Sequence, residues 1–282
     1  MLTKRLIACF DVVRGRVTKA RRFEDNIDVG DAVAIAGELY RGQIDEIIFY
    51  DITASAERRR LDIETVARVA REVFVPFTVG GGIRSVEDMR AVLKAGAEKI
   101  SIDSMAVRDP ELITAGALAF GRQCIVLSMQ VKRVAPSESI PSGYEIAIDG
   151  ARLFTGIDAL AWARRGARLG AGEICVNSID ADGTHAGYDL AITRAIADAV
   201  EVPVIASGGG GEVGHIRAAF DTGASAAVIS SILYSPRMER NLTVEEIKGE
   251  LAELDVPIRP WRLEPGSDPI KTLKGSDPVR TG

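Results

Sequence analysis

The chain has 282 residues, of which 46% are hydrophobic and 27% charged, and its formal net charge is −5; these values are ordinary for a soluble globular protein. It has no basic cluster, no run approaching ~20 apolar residues and no apolar signal segment at its start, so we expect a cytoplasmic protein that binds neither nucleic acid nor membranes. Two histidines are too few for a histidine-rich metal site, and we expect no metal and no cofactor.

Eight short apolar runs alternate along the chain with amphipathic segments, and each run is too short to form a helix. Such runs are typical of parallel strands that are buried on both faces. Eight strands, each followed by a helical pattern, predict a closed (β/α)8 barrel, with an open doubly wound sheet as the alternative. In chain order the predicted strands are Leu6–Phe10, Ile47–Tyr50, Phe77–Val79, Lys99–Ile102, Cys124–Met129, Ile174–Val176, Val204–Ala206 and Ala226–Ile229.

Three helix starts are readable between these strands. Ser85 and the pair Thr243 with Glu246 have the pattern of capping boxes. Asp109-Pro110 reads as a capping residue followed by proline at the first helical position.

The three cysteines, Cys9, Cys124 and Cys175, all fall in the apolar runs. Their odd number and wide spacing argue against a disulfide framework. We therefore expect buried, reduced thiols that pack in the core.

An internal repeat favours the barrel over the open sheet. Asp51, Gly80 and Ser104 have counterparts 127 to 129 positions later, at Asp180, Gly208 and Ser231. A repeat of this length predicts a (β/α)8 TIM barrel made of two similar half-barrels. We expect one barrel domain at residues 1–262, followed by a flexible C-terminal tail at residues 263–282 that is rich in Gly, Pro, Ser and Asp.

Each half ends one strand in a glycine triplet and the next strand in small hydroxylic residues. The first half has Gly80–Gly82 and Ser104, and the second has Gly208–Gly210 with Ser230 and Ser231. Glycine lets the backbone approach a ligand closely, and free N–H groups ahead of a helix attract anions. One triplet could simply shape a tight turn. Two at equivalent places favour a substrate with a phosphate at each end.

Four aspartates lie at predicted strand ends, which face the catalytic mouth of a barrel: Asp11, Asp51, Asp180 and Asp182. A carboxylate there can act as a general acid or base. The alternative is a helix cap or a loop salt bridge, which suits Asp182 because Gly183 follows it.

Three other polar residues are weaker candidates. Lys19 could reach over the mouth as a phosphate clamp, although a lone lysine is more often solvated. His185 lies in a polar loop where ligand contact is possible, and His215 is expected on the surface of a helix.

Several motifs together resemble the cyclase subunits of imidazole glycerol phosphate synthase, from histidine biosynthesis, over residues 1 to 258. The motifs are Lys4-Arg5-Leu6-Ile7, Asp11-Val12, Lys19, Asp51-Ile52-Thr53-Ala54-Ser55, Phe77-Thr78-Val79-Gly80-Gly81-Gly82-Ile83, Ser178-Ile179-Asp180, Asp182-Gly183-Thr184 and Ile205-Ala206-Ser207-Gly208-Gly209.

The resemblance implies a lyase that receives ammonia from a partner glutaminase docked at the N-terminal face of the barrel. Ammonia would convert a linear bisphosphorylated ribonucleotide into imidazole glycerol phosphate and aminoimidazole carboxamide ribotide. A ring of charged residues gates the ammonia entrance in this family. The matching positions here are Arg5, Glu46, Lys99 and Glu173.

The resemblance also implies the site residues, with two departures. The family's pair of acid/base aspartates matches Asp11 and, at the second position, Gln130, and an amide transfers no proton near neutral pH. Asp103 stands where the family usually has asparagine, in the first phosphate loop. The substrate-binding set is Lys19, Asp51, Gly82, Asp103 and Ser104, and Asp180, Asp182, Gly183, Ser207, Gly209, Ser230 and Ser231.

The two departures leave alternatives open. Asp180 or Asp51 could supply the missing proton step in an ordinary cyclase. The chain could instead be a divergent ammonia-using paralogue with another substrate, in sugar amidation or specialised metabolism. It could also be a non-catalytic scaffold that activates a glutaminase.

Overall fold

The computed structural model describes residues 3–21, 24–52 and 61–260. The strands are β1 (Arg5–Val13), β2 (Arg16–Arg21), β3 (Glu24–Asp31), β4 (Glu46–Asp51), β5 (Phe77–Gly80), β6 (Lys99–Ile102), β7 (Ile125–Arg133), β8 (Tyr144–Ile148), β9 (Leu153–Asp158), β10 (Glu173–Ser178), β11 (Val204–Ser207) and β12 (Ala226–Val228). The helices are α1 (Ala32–Arg41), α2 (Ile63–Glu72), α3 (Val86–Lys94), α4 (Ser104–Arg108), α5 (Glu111–Phe120), α6 (Ala159–Leu169), α7 (Leu190–Ala197), α8 (Val213–Asp221), α9 (Ser230–Tyr234) and α10 (Val244–Glu253).

Eight of the strands form a closed parallel barrel in the order β1-β4-β5-β6-β7-β10-β11-β12. The ring closes where β12 pairs with β1, with Ala226 opposite Arg5, and the two halves join where β7 pairs with β10. Each predicted apolar run matches one of these eight strands, although Cys124 and Ile229 lie one residue outside β7 and β12. The predicted (β/α)8 barrel is therefore confirmed and the open sheet was wrong. The proposed tail at residues 263–282 lies outside the described residues, as does the segment from Thr53 to Ser55.

Two antiparallel hairpins extend the barrel and were not predicted. β2 and β3 fold back onto β1, and β8 and β9 fold back onto β7. Each hairpin follows the first strand of its half-barrel, so the insertions obey the same twofold repeat as the strands. Asp11 of β1 pairs with Thr18, and Gln130 of β7 pairs with Ala147. These two residues therefore occupy equivalent places in the two halves.

Two of the three predicted helix caps are confirmed, and the third is wrong. Ser85 caps α3 and Thr243 forms a complete capping box with Glu246, as expected. The expected cap at Asp109 is wrong by one position, because α5 begins after Pro110 and no side chain caps it.

The cysteine prediction was right for two residues and wrong for the third. Cys9 and Cys175 are buried, and all three thiols are free. Cys124 is only partly buried, because it ends a 3₁₀ turn at Arg122–Cys124 and β7 starts one residue later.

The side chains of each barrel strand alternate between two separate apolar cores. On β1, Leu6, Ala8 and Phe10 pack outward against the helices, whereas Ile7 and Cys9 belong to a second cluster inside the barrel. The inner cluster is formed by Ile7, Cys9, Ile48, Val126, Cys175, Ile205 and Ala226. The period of two in a strand therefore decides which residues reach the barrel axis. No helix in the described ranges is long and apolar enough to cross a membrane.

A buried ion pair joins α10 to the segment that precedes β4, at the N-terminal end of the barrel. Lys248 of α10 lies 2.6 Å from the Asp45 carboxylate and donates to the carbonyl of Gln43 at 2.9 Å. The second Asp45 oxygen accepts the backbone N–H of Leu6 at 2.9 Å. Both charged side chains are almost fully buried, so each depends on the other for compensation.

We expect Lys248→Met to lower the free energy of unfolding by about 3–5 kcal/mol, because it leaves the Asp45 carboxylate buried without its cation. Urea unfolding followed by circular dichroism measures the change. The double variant Asp45→Asn/Lys248→Met should lose less, since no charge remains unpaired. Lys94→Met, at an exposed position of α3, should stay within about 0.5 kcal/mol of the parent. A loss in the double variant as large as in the single one would contradict this account.

Candidate active site

The carboxyl ends of the barrel strands gather polar side chains at one rim, which we call the mouth. Asp11 lies two residues after inward-facing Cys9 on β1, and Gln130 lies four after inward-facing Val126 on β7. Asn177 lies two residues after inward-facing Cys175 on β10, and Asp103 follows β6 directly. β7 is the fourth neighbour of β1 in either direction around the eight-strand ring. Asp11 and Gln130 therefore face each other across the mouth.

One side of the mouth holds a partly compensated acidic pair. Lys19 on β2 lies with its Nζ 3.9 Å from Asp11 Oδ2 and 5.8 Å from the centre of the Tyr234 ring. Burial raises the pKa of Asp11, and Lys19 offsets only part of that rise. Burial also raises the pKa of Asp182 to about 6; Lys19 and the Gly183 N–H lower it, whereas the charge of Asp11 adds to the rise. Asp182 is thus suited to exchange protons not far below neutral pH, and the raised pKa of Asp11 makes its carboxyl a better proton carrier than an ordinary aspartate.

The other side of the mouth holds a chain of three hydrogen-bonded side chains. Asn177 Nδ2 donates to Gln130 Oε1 at 2.8 Å, and the Gln130 side chain is hydrogen-bonded to the Asp103 carboxyl. Because the Gln130 oxygen already accepts from Asn177, its NH₂ group is the donor to Asp103. The two departures from the family pattern are therefore in direct contact.

The Asp103 carboxyl has an unusual proton affinity. Burial raises its pKa to about 7 even though the hydrogen bond from Gln130 opposes the rise. Asp149 raises the pKa further and Arg108 lowers it, but these two residues are paired with each other in a salt bridge. Asp103 therefore lacks the full benefit of the Arg108 charge.

The remaining two aspartates are fixed by close partners. Asp180 accepts hydrogen bonds from Lys132 and, at 2.9 Å, from the Arg133 backbone N–H. Burial opposes ionisation of Asp180, but these bonds outweigh it and hold its pKa below the usual value. Asp180 is therefore a poor proton donor at neutral pH, which argues against its supplying the missing proton step. Asp51 is buried at the end of β4, and its Oδ2 accepts the Asp62 N–H at 3.4 Å.

The glycine triplets are required by packing whether or not they bind a ligand. A Cβ on Gly81, whose φ is 91°, would overlap the carbonyl oxygen of Asp51. A Cβ on Gly209, whose φ is 103°, would overlap the carbonyl oxygen of Gly187. Gly82 and Gly183 also have positive φ values. The steric explanation of the glycines thus holds, and phosphate binding is an additional role that needs its own test.

Most of the serine hydroxyl groups beside these loops already form hydrogen bonds within the protein. Ser104 Oγ accepts the Asp149 N–H at 2.9 Å. Ser230 Oγ accepts from the Cys9 N–H at 2.7 Å and donates to the Cys9 carbonyl at 2.8 Å, so it fastens α9 to β1. Ser207 is hydrogen-bonded to the Cys175 thiol. Phosphate groups at these loops would accordingly depend mainly on backbone N–H groups, with Ser231 partly exposed beside them.

His215 differs from its expected place on the open surface. It is partly buried on α8, and its Nδ1 accepts the Gly211 N–H at 3.3 Å. It therefore supports the second glycine loop. His185 lies in the loop after β10 with a φ of 61°.

A closed ring of four charges lies at the opposite, N-terminal end of the barrel. Arg5 contacts Glu46 at 2.6 Å and Glu173 at 3.1 Å, and Lys99 contacts Glu46 at 2.8 Å and Glu173 at 3.2 Å. Each cation thus bridges both carboxylates. Thr78 donates a further hydrogen bond to Glu46 at 3.1 Å. These are the four residues that the resemblance implies as an ammonia gate.

Between the ring and the mouth lie an apolar layer and a hydroxyl layer. The apolar layer is the inner cluster of Ile7 and its neighbours. Above it the Tyr50 hydroxyl lies 3.0 Å from Ser101 Oγ and 3.4 Å from Ser128 Oγ. Within the described residues, no group of three or more His, Cys, Asp or Glu side chains could hold a metal ion.

Sequence reasoning missed Tyr50, Asn177 and Tyr234 as residues of the barrel interior and mouth. Tyr50 is two residues after inward-facing Ile48, and Asn177 is two after Cys175. Strand alternation could therefore have identified both. Tyr234 donates its hydroxyl to the Cys9 carbonyl from α9, and no sequence pattern signals that contact.

Comparison with known proteins gives a consistent result. Residues 5–239 match the family described as histidine biosynthesis protein. The chain is 54% identical over 260 residues to the imidazole glycerol phosphate synthase subunit HisF of Solidesulfovibrio magneticus, covering 92% of this chain and 99% of that protein. It is 54% identical to the same subunit of Desulfatibacillum aliphaticivorans, with 92% and 98% covered. It is 59% identical over 235 residues to that of Desulfovibrio desulfuricans, with 83% and 91% covered.

We expect Asp103→Asn to stabilise the protein above pH 7. A raised pKa means that the folded state holds this proton more tightly than the unfolded state, so Asp103 costs stability as pH rises from about 4 to about 7. The variant should gain on the order of 2 kcal/mol at pH 8, or a Tm about 4–8 °C higher, after allowance for partial exposure. The gain should vanish towards pH 4 in thermal unfolding scans.

Asp180→Asn is the matched control, because the pKa of Asp180 is shifted the other way. This variant should lose up to about 1 kcal/mol at pH 8, since it removes a favourable ion pair with Lys132. If Asp103→Asn is no more stable than the parent at pH 8, or its gain is independent of pH, the assigned environment of Asp103 is wrong.

Proposed function

Because the chain belongs to the histidine biosynthesis protein family, we propose that it acts as the cyclase subunit of imidazole glycerol phosphate synthase. The observation that carries this proposal is its 51–59% identity to relatives that bear this name. The alternatives of a divergent paralogue and of a non-catalytic scaffold find no support among these relatives. We place the activity in the cytoplasm, and the three free thiols support a reducing compartment.

The reaction joins ammonia to a linear bisphosphorylated ribonucleotide and yields imidazole glycerol phosphate and aminoimidazole carboxamide ribotide. Making an imidazole ring with ammonia requires that nitrogen replaces a carbon-bound oxygen, which leaves as water. Each such exchange moves protons on and off the reacting atoms. Asp11 supplies one acid/base group for these steps, because its carboxyl lies at the mouth with a raised pKa.

The substrate has a phosphate at each end, and the twofold mouth offers a loop pair for each. Lys19 holds the substrate near Asp11 as a cationic clamp. One phosphate binds at Gly82 and Ser104. The other binds at the second-half loops, whose proposed residues are Gly183, Ser207, Gly209, Ser230 and Ser231. Binding by backbone N–H groups leaves the phosphates fixed while the bonds between them change.

Ammonia reaches the mouth through the barrel from a glutaminase docked at the N-terminal face. Two observations support this docking face. The ring of four charges, formed by Arg5, Glu46, Lys99 and Glu173, lies across the barrel axis at this face. Phe74, in the loop that precedes β5 at the same end, is 77% exposed, and Leu118 on α5 is 84% exposed. Large exposed apolar side chains of this kind are typical anchors of a protein interface.

The proposal is tested by turnover of the linear bisphosphorylated ribonucleotide by the purified chain, with an ammonium salt as nitrogen source. We expect the wild-type chain to form both products. Asp11→Asn should lower kcat by about 10²–10⁴-fold, because the amide transfers no proton. Asp198→Asn, at the end of α7 and away from the mouth, should behave as wild type. No turnover by folded wild-type protein, or full turnover by Asp11→Asn, would contradict the proposal.

The docking face is tested by Phe74→Ser/Leu118→Ser. Removing two exposed apolar anchors should weaken binding of the glutaminase subunit by at least about 10-fold, measured by calorimetry. Ammonium-dependent turnover should not change, since neither residue is near the mouth. Phe154→Ser, on β9 at the other end of the barrel and 49% exposed, is the matched control and should bind the glutaminase normally. Equal weakening by Phe154→Ser would place the interface elsewhere.

A further inference from the structure

Gln130 stands where the family pattern has its second acid/base carboxyl, and the carboxyl of Asp103 interacts with the Gln130 side chain. We propose that Asp103 performs the second proton transfer of the cyclase reaction and that Gln130 is the residue that positions it. This inference rests on the proposed cyclase function. It adds to that function a role for Asp103 that differs from phosphate binding.

The geometry directs Asp103 towards the reacting end of the mouth. Lys99 and Ser101 are inward-facing residues of β6, and Asp103 follows them at the same spacing of two. Gln130 reaches it from the neighbouring strand β7, which lies opposite β1 in the ring. A carboxyl bound to Gln130 therefore lies across the mouth from Asp11, where a substrate between the two halves meets both.

A chain of hydrogen bonds links the Asp103 carboxyl to Gln130 and Asn177. Asn177 donates to the Gln130 oxygen at 2.8 Å, and this contact turns the Gln130 NH₂ group towards Asp103. The family pattern has a carboxyl at position 130 and an amide at position 103. In this chain the carboxyl and the amide have changed places across a single hydrogen bond, so the mouth keeps one of each.

The surrounding charges leave Asp103 able to exchange its proton. Three ionisable groups interact electrostatically with the Asp103 carboxyl: Arg108 on α4, Asp149 after β8 and the Cys175 thiol on β10. Arg108 is engaged by Asp149, so Asp103 has no cation of its own, and burial raises its pKa to about 7. A group that titrates near neutral pH can both give and take a proton during turnover. Asp180, by contrast, is held ionised by Lys132.

The proposed step balances within the cyclase reaction. Ammonia adds to a carbonyl carbon, and the resulting hydroxyl needs a proton to leave. The O–H bond of the Asp103 carboxyl breaks as a proton passes to that hydroxyl, the C–O bond breaks and water departs. The Asp103 carboxylate then takes a proton from the attached nitrogen, which becomes a neutral imine. Asp103 ends protonated as it began, and the cycle needs no other co-reactant.

The experiment compares wild type with Asp103→Asn, Gln130→Asp and the exchange variant Asp103→Asn/Gln130→Asp, using ammonium as nitrogen source. Asp103→Asn should lower kcat by about 10²–10⁴-fold and leave KM within about threefold. The exchange variant should recover kcat to within about 10-fold of wild type, because it restores a carboxyl to the mouth. In wild type, kcat should fall above pH 7 as Asp103 loses its proton, and this limb should shift in the exchange variant.

The outcomes separate this inference from the proposed function. If wild type forms no products, the cyclase proposal fails and this inference fails with it. If wild type is active and Asp103→Asn retains its kcat, the inference alone is overturned. A rise in KM without a fall in kcat in Asp103→Asn would also overturn it, because that result assigns Asp103 to substrate binding.

Discussion

Closure of eight parallel strands is the constraint on which the rest of the structure depends. Once the ring is closed, every second residue of each strand must lie inside the barrel, away from the helices. The interior is therefore built in layers along the axis. A charged ring at Arg5 and Lys99 is followed by the apolar layer around Ile7, the hydroxyl layer around Tyr50, and the acidic mouth. The strand alternation that forms the core also aligns the mouth with the entrance.

The charged side chains are closely paired at one end of the barrel and incompletely paired at the other. At the N-terminal end, two cations and two carboxylates contact one another, and the nearby pair of Lys248 and Asp45 is fully compensated. At the mouth, Asp11 and Asp103 are partly buried and their charges are only partly compensated, so their pKa values rise. A carboxyl without a close cation lowers the stability of the fold but can transfer a proton more readily. The charged residues of the N-terminal end therefore stabilise the barrel, whereas those of the mouth are suited to catalysis.

The sequence was sufficient for the barrel and for part of the site. Apolar runs located the eight parallel strands, because strands buried on both faces leave a continuous signal. The hairpin strand Glu24–Asp31 was missed because it is mostly polar, with only Ile27 and Val29 as large apolar residues. The hairpin strand Tyr144–Ile148 is mostly apolar and could have been read as a strand. The contact between Gln130 and Asp103 was not readable, since it depends on the stagger of β6 against β7. Likewise, no pattern shows that the Ser230 hydroxyl is turned into β1.

The central claim is that one substrate spans both halves of the mouth, with its reacting atoms between Asp11 and Asp103. A crystal structure of the chain soaked with the linear bisphosphorylated ribonucleotide tests it most directly, with Asp11→Asn used to prevent turnover. We predict one phosphate at Gly82 and Ser104, the other at Gly209 and Ser231, and the bonds that change between them. A ligand held at one half only, or bound away from the carboxyl ends of the strands, would contradict this account.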